Sequence, residues 1–298
     1  MERGCKPNKP GMMLLGAASM SKPYPPTPPA KTAQQRLRRV EGRHNTLVKE
    51  IRRAFSRAEL TESGDCAIEG LRIVEEAIRS GLRFHAVFFS ESAENQAQRL
   101  MPQLGAHVET AIVPDKLFAS MVPSDSPQGV AALVRYRKSS MAEILERLAT
   151  GPLVIVAGLQ DPGNLGTILR SAEAFGAAGV LLGEGTVSPF NSKVVRGSAG
   201  SIFRLPVLRV KLAEALPQVR ESSVRLVATS SHKGVPLAQA NLAGPIAILI
   251  GGEGGGVPRD LLAKADEIVA IPHAPQVESL NAGVAASIVL YEIAGKRV

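Results

Sequence analysis

From residue 153 onward, short apolar runs recur at strand spacing, each followed by a stretch of helical periodicity, and this alternation restricts the fold more than any other feature. The runs are residues 153–157, 180–182, 205–208, 226–228, 246–250 and 268–271. All are too short for buried helices, and strands alternating with helices predict a mainly parallel sheet covered on both faces. After the first run, Leu165, Ile168, Leu169 and Ala172 form one apolar helical stripe, with Arg170 on the opposite side and Asn164 placed to cap the helix. The run 246–250 breaks into residues 251–256, five glycines interrupted only by Glu253. Bare backbone there means that something approaches closely, and a ligand is one candidate. The loop is neither a dinucleotide fingerprint, because Val257 stands at its sixth position, nor a phosphate loop, because no Gly-Lys-Ser/Thr follows. The last helix, residues 281–293, predicts a buried face of Ala282, Ala285, Ala286, Val289 and Ile293. Such small residues suit a tight core and a subunit interface equally well.

A second alternation precedes the first. Runs at 66–68, 86–89, 108–113 and 129–134, with a helical stretch at 71–78, predict a small α/β domain. Ahead of them Leu47, Ile51 and Phe55 lie four apart on a helix whose other face carries Lys49, Arg52, Arg53 and Arg57. That face suits RNA, or is simply solvated. The polar, basic segment 135–140 and a short helix over 141–148 mark a joint. The expected division is an arm over 1–43, a substrate-binding domain over 44–136, a linker over 137–150 and a second domain over 151–298.

Charge and composition narrow the partners. Residues 1–60 hold 13 Lys and Arg against 4 Asp and Glu, leaving 22 against 23 in the rest, so the net charge of +8 belongs to the N-terminus. A basic arm points to a polyanion such as nucleic acid, or is a solubilising tail. Seven prolines before residue 30 predict that it is disordered. Cys5 and Cys66 have no ligand spacing and cannot build a disulfide framework, which suits a reducing cytoplasm; Cys66 reads as a buried apolar residue. Five scattered histidines argue against a metal site, and no run approaches the length of a membrane span. Residues 12–18 are too short for a signal-peptide core, and the prolines oppose the amphipathic helix of a transit peptide.

Three segments then carry a resemblance. DPGNLGTILRSAEAFGAAGVLL from Asp161, LIGGEGGGVP from Leu249 and IPHAPQVESLNAGVAASIVLYE from Ile271 resemble the three motifs of the SpoU (TrmH-like) RNA ribose 2′-O-methyltransferases. Residues 191–206, with Lys193, Arg196 and Ser198-Ala199-Gly200, resemble the family's segment between the first two. The preceding domain, ending in SPQGV from Ser126, resembles the small L30e-like α/β domain that binds substrate in many members. The resemblance implies a C-terminal trefoil-knotted (SPOUT-type) domain holding S-adenosylmethionine, and a homodimer with active sites near the subunit interface. Periodicity alone suggests instead an open doubly wound sheet, because knots are rare.

The resemblance also implies roles. The cofactor would be held by main-chain groups near Gly251, Ile271 and Leu280, and Asn164, Arg170, Glu253, Ser279 and Asn281 would be catalytic. Arg170 matches the arginine of the first motif; a guanidinium with a pKa above about 12 is a poor general base but a good partner for a developing alkoxide and a phosphate. Its simplest alternative is a surface arginine paired with Glu173. Glu253 reads as orienting Arg170 or a substrate hydroxyl, or as a plain loop charge. Ser279 and Asn281 read as helix caps as well as neighbours of the cofactor and ribose. Glu278 and Gly283 depart from the family form, which bears on fine substrate contacts. The expected activity is methyl transfer to a ribose in ribosomal RNA, with no metal and no membrane. Its rivals are a tRNA ribose, and a non-catalytic RNA-binding or ribosome-assembly protein on the same fold. A nucleotide-dependent oxidoreductase lacks its glycine fingerprint.

Overall fold

The computed structural model describes Met1 and residues 37–296; the expected disordered arm, up to residue 36, lies outside the described residues. Strand β1 (Leu37–Arg39) comes first, followed by α1 (Thr46–Arg57), β2 (Asp65–Glu69), α2 (Leu71–Arg79), β3 (Phe84–Ser90), α3 (Glu94–Leu100), β4 (Glu109–Val113), α4 (Asp115–Met121) and β5 (Val130–Arg135). These strands make a mixed sheet in the order β1-β4-β3-β5-β2. Val48 and Ile51 of α1 pack with Phe118 and Met121 of α4 on one face, and Ile73 and Val74 of α2 with Leu100 of α3 on the other. Asn45 caps α1, its Oδ1 accepting the Leu47 N–H at 3.0 Å. Residues 37–39 do not belong to the arm, as the sequence division has it. They pair instead in parallel with β4, because an edge strand offers unpaired backbone groups, and Arg38 and Arg39 meet Glu109 and Glu91 beside it. Cys66 is a free, buried thiol whose pKa burial pushes up to about 12.

The second sheet is entirely parallel. Its strands and helices are α5 (Met141–Glu146), β6 (Leu153–Ala157), α6 (Pro162–Ala174), β7 (Gly179–Leu182), α7 (Ser192–Gly197), β8 (Val207–Arg209), α8 (Leu212–Glu221), β9 (Arg225–Ser230), β10 (Val235–Pro236), β11 (Ile246–Gly251), α9 (Arg259–Leu262), β12 (Glu267–Ala270) and α10 (Ala282–Gly295). The strand order is β10-β12-β9-β11-β6-β7-β8. Alternate residues serve opposite faces: Val154 and Val156 pack under α6 and α10, while Leu153 and Ile155 meet Ile144, Leu212 and Leu216. Ile144 of α5 and the nearby Leu148 are buried in this core, so the segment expected to be a linker is partly built into the second domain. Strand β8 starts two residues later than expected because Pro206 has no N–H to donate; its carbonyl instead accepts the Val180 N–H at 2.9 Å.

Strands β6, β7 and β8 step outward in one direction, whereas β9 and β12 lie on the other side of β11. The sheet therefore reverses around β6 and β11, and the carboxyl ends at such a reversal form the crevice in which α/β sheets bind ligands. From the carboxyl end of β12 the chain returns past this crevice to lay α10 against α6. Phe190 of the second domain meets Tyr136 edge-on, with ring centroids 4.8 Å apart, at the joint between the domains.

Candidate active site

Loop 158–161 leads from β6 into α6, and Asp161 caps the helix: its Oδ1 accepts the Asn164 N–H at 2.7 Å, and Pro162 occupies the first turn. Asn164 is thus not the cap expected from sequence. Its side chain is free for another contact, and Nδ2 donates to Glu253 Oε1 at 2.6 Å across 89 residues of chain. The Gln160 N–H approaches the other oxygen of Glu253 at 3.4 Å, so the two loops are stitched together. Burial acts to raise the Glu253 pKa, but the hydrogen bonds from Asn164 and from backbone N–H groups outweigh it and hold the carboxyl below its ordinary value. Glycines permit the loops to meet. A Cβ on Gly252 would strike the Gly158 carbonyl oxygen, and one on Gly251 would strike the Gly256 backbone. Among the described residues no hydrogen bond or ion pair joins Glu253 to Arg170; its side-chain partner is Asn164.

Arg170 lies on the exposed side of α6, and no carboxylate among the described residues pairs with it. Glu173, its simplest partner, is bound through both oxygens by Arg204, at 2.5 and 2.9 Å. Asn281 caps α10, its Oδ1 accepting the Val284 N–H at 3.1 Å; Ser279 is exposed just before it. The start of α10 rests on α6: a Cβ on Gly283 would stand 3.0 Å from the Thr167 Cβ, and the Ser171 and Ser287 hydroxyl oxygens are 2.7 Å apart. The first half of α10 thus lies against the middle and C-terminal half of α6, and no hydrogen bond is found between Arg170 and Ser279 or Asn281. The buried face of α10 also differs from expectation. Gly283, Ala286, Val289, Leu290 and Ile293 are buried, whereas Ala282 and Ala285 are only half-buried.

Gly251 is buried at the carboxyl end of β11, Ile271 is half-buried just beyond the carboxyl end of β12, and Leu280 is half-buried before α10. Sequence reading missed Thr229 and Ser230, which end β9 between β11 and β12. Thr229 Oγ1 donates to the Leu249 carbonyl at 3.1 Å, and Ser230 Oγ accepts the Lys233 N–H at 3.2 Å. The abrupt polar run T-S-S-H after an apolar strand was the signal available. Away from the crevice, a groove of about 510 Å³ beside α1 mixes Lys49, Arg53 and Arg57 with Glu50, Glu59 and Glu62. One group with metal-ligand chemistry, Glu50, Asp65 and His85, occurs among the described residues. Asp65 is already engaged by Ser63, His85 and Arg135, and a cation there would face that guanidinium.

Comparison with known proteins bears on the family and the fold. Residues 151–291 match the SpoU rRNA Methylase family and residues 45–132 the MRM3-like substrate binding domain. The chain is similar to the Bacillus subtilis 23S rRNA (guanosine(2553)-2′-O)-methyltransferase RlmP, with 32% identity over 87% of this chain and 100% of that protein. Its fold is similar to that of an AdoMet-bound rRNA methyltransferase from Sinorhizobium meliloti, at TM-score 0.73 and 28% identity over 88% of this chain and 99% of that one. It also resembles the SpoU methyltransferase AviRb from Streptomyces viridochromogenes in complex with AdoMet, at TM-score 0.74 and 26% identity over 85% and 98% of the two chains.

Proposed function

The chain belongs to the SpoU rRNA methylase family, and on that premise we propose that it is an S-adenosylmethionine-dependent RNA 2′-O-methyltransferase acting on a ribose in ribosomal RNA. The observation that carries this reading is the 2.6 Å bond from Asn164 to Glu253, which ties the first motif to the glycine loop six residues before an unpaired Arg170. Preference for ribosomal over transfer RNA follows the activity named for the Bacillus subtilis relative.

The crevice fits adenosylmethionine. Glycine backbone at 251–256 leaves room, and Ile271 and Leu280 add half-buried apolar cover of the kind a flat purine needs. Main-chain groups at Gly251, Ile271 and Leu280 would hold the cofactor, which supplies a methyl group already activated on a sulfonium and so calls for no metal. The protein's task is then alignment and charge stabilisation, and alignment alone is worth roughly 7 to 11 kcal/mol. A guanidinium is a poor base and a good anion partner, so Arg170 holds the adjoining phosphate and stabilises negative charge on the ribose 2′-oxygen rather than taking its proton. Glu253 fixes the Asn164 amide. Asn281 has its Oδ1 committed to the cap, leaving Nδ2 and the Ser279 hydroxyl as donors toward the ribose.

The same reading includes a homodimer in the cytoplasm. Helix α10 is apolar almost all round, which normally means burial on all sides, yet Val284, Ile288 and Tyr291 remain 47%, 37% and 65% exposed in one stripe. A second copy covering that stripe would lie beside Asn281 on the same helix. The return of the chain from β12 to α10 is read as the family's trefoil crossing.

The test is transfer of labelled methyl from adenosylmethionine to unmodified ribosomal RNA, followed by mapping of 2′-O-methyl sites. Incorporation at one ribose of ribosomal RNA supports the proposal. Labelling of transfer RNA alone would overturn the substrate, and no labelling of either would overturn the activity.

A further inference from the structure

Arg204 stands outside the side chains assigned to methyl transfer, just ahead of β8, yet every nitrogen of its guanidinium is engaged. Nε donates to Glu173 Oε1 at 2.5 Å and NH2 to Glu173 Oε2 at 2.9 Å, a two-pronged pairing that occupies both carboxylate oxygens. NH1 crosses to the first domain, donating to Ser80 Oγ at 2.9 Å and to Glu76 Oε2 at 3.2 Å. Close approach at this point is built in, since a Cβ on the nearby Gly200 would stand only 2.8 Å from the Glu76 Cβ.

Glu173 lies three residues beyond Arg170 on α6, a spacing at which opposite charges on a helix pair by default. Here they do not, because Arg204 holds the carboxylate. We propose that Arg204 is a positioning residue: by occupying and neutralising Glu173 it leaves Arg170 open to the RNA, and by gripping Glu76 and Ser80 it seats the substrate-binding domain against the same helix. This inference rests on Arg170 being the residue that meets the substrate. Without Arg204, Glu173 keeps the Ser201 hydrogen bond but loses its cationic partner. It competes for the Arg170 guanidinium, and its uncompensated charge repels a polyanion arriving at the same face.

The experiment compares the native enzyme with R204M, the double variant R204M/E173Q, and R170A, using methyl transfer to ribosomal RNA at saturating adenosylmethionine. R204M keeps an unbranched apolar stem and removes the guanidinium and its charge; kcat/KM should fall about tenfold, the size of an unscreened charge a few ångströms from the reacting groups. Both R204M and the double variant lose the bonds to Glu76 and Ser80, so any loosening of the domains is common to them. The double variant should nevertheless recover to within about threefold of native, the range left to surface pairings. Equal impairment of R204M and the double variant would mean a merely structural Arg204 and would overturn the proposal, as would native activity in R204M. R170A separates the two levels: full activity in R170A removes the premise, whereas an inactive R170A beside an unrescued double variant removes only the role given to Arg204.

Discussion

The role proposed for Arg170 depends on what does not touch it. An exposed arginine on a helix ordinarily takes the nearest carboxylate, and here that carboxylate is held elsewhere. Substituting Arg170→Ala should lower kcat by about 10²- to 10³-fold, the usual effect of removing one preorganised electrostatic contact. Calorimetry with EDTA present should still show adenosylmethionine binding at near-native affinity, because neither the guanidinium nor a metal is assigned to the cofactor. A variant with native kcat would remove the residue from the mechanism, and loss of binding in EDTA would reinstate a metal.

A second residue makes a prediction about pH. Asp65 is fully buried, and that burial works against its charged form, but bonds from Ser63, Arg135 and His85 outweigh it and hold the carboxyl below the usual range. A folded value lower than the unfolded one contributes stability that is present above the unfolded value, about 3.9, and is lost as pH falls through the folded value. Asp65→Asn should therefore unfold more readily at pH 7 by about 2 kcal/mol. It should also show a shallower fall in stability below about pH 4. Urea midpoints measured from pH 7 to pH 3 decide this, and parallel curves for the two proteins would refute it.

Among the elements, what could be read from sequence depended on whether polar residues marked the phase. Strand β6 fell on its expected residues, and the stripe Leu165, Ile168, Leu169 and Ala172 was buried as read, because Arg170 and other polar positions mark the outer side of α6. Helix α10 has almost no polar position to fix its rotation, so its buried face was read only in part: Ala286, Val289 and Ile293 are buried as expected, while Gly283 and Leu290 were overlooked. Strands β1 and β10 were missed because two or three residues carry no periodicity; they form only because an existing sheet edge accepts them. Asn164 was given the cap because its type suits one, although Asp161 before Pro162 is the stronger cap signal. The bond from Asn164 to Glu253 was beyond sequence reading, since no local pattern links residues 89 apart. The phase of α10 has a consequence for assembly: Val284 and Ile288 point away from the core. The double change V284E/I288E should leave the fold intact and convert a dimer to a monomer in sedimentation equilibrium. A persistent dimer would place the interface elsewhere.

For the molecule as a whole, the excess charge precedes or opens the first domain in the sequence. The excess of Lys and Arg falls in residues 1–60, leading into the first domain rather than the crevice. The arm joins that domain through β1, so a fair truncation must stop before Leu37; one that also removed β1 would uncover β4 and mix a folding defect with a binding one. Removing residues 1–36 takes away six Lys and Arg and one Glu. If those cations neutralise RNA phosphates, each phosphate left without its cation should flatten the slope of log affinity against log salt by about 0.7 to 0.9. The truncated enzyme should then bind ribosomal RNA more weakly at low salt and approach the full chain at high salt, while its kcat at saturating RNA stays near native because the crevice and Arg170 are untouched. An unchanged salt slope would reduce the arm to a solubilising tail. A fall in kcat with an unchanged slope would instead tie the arm to the chemistry.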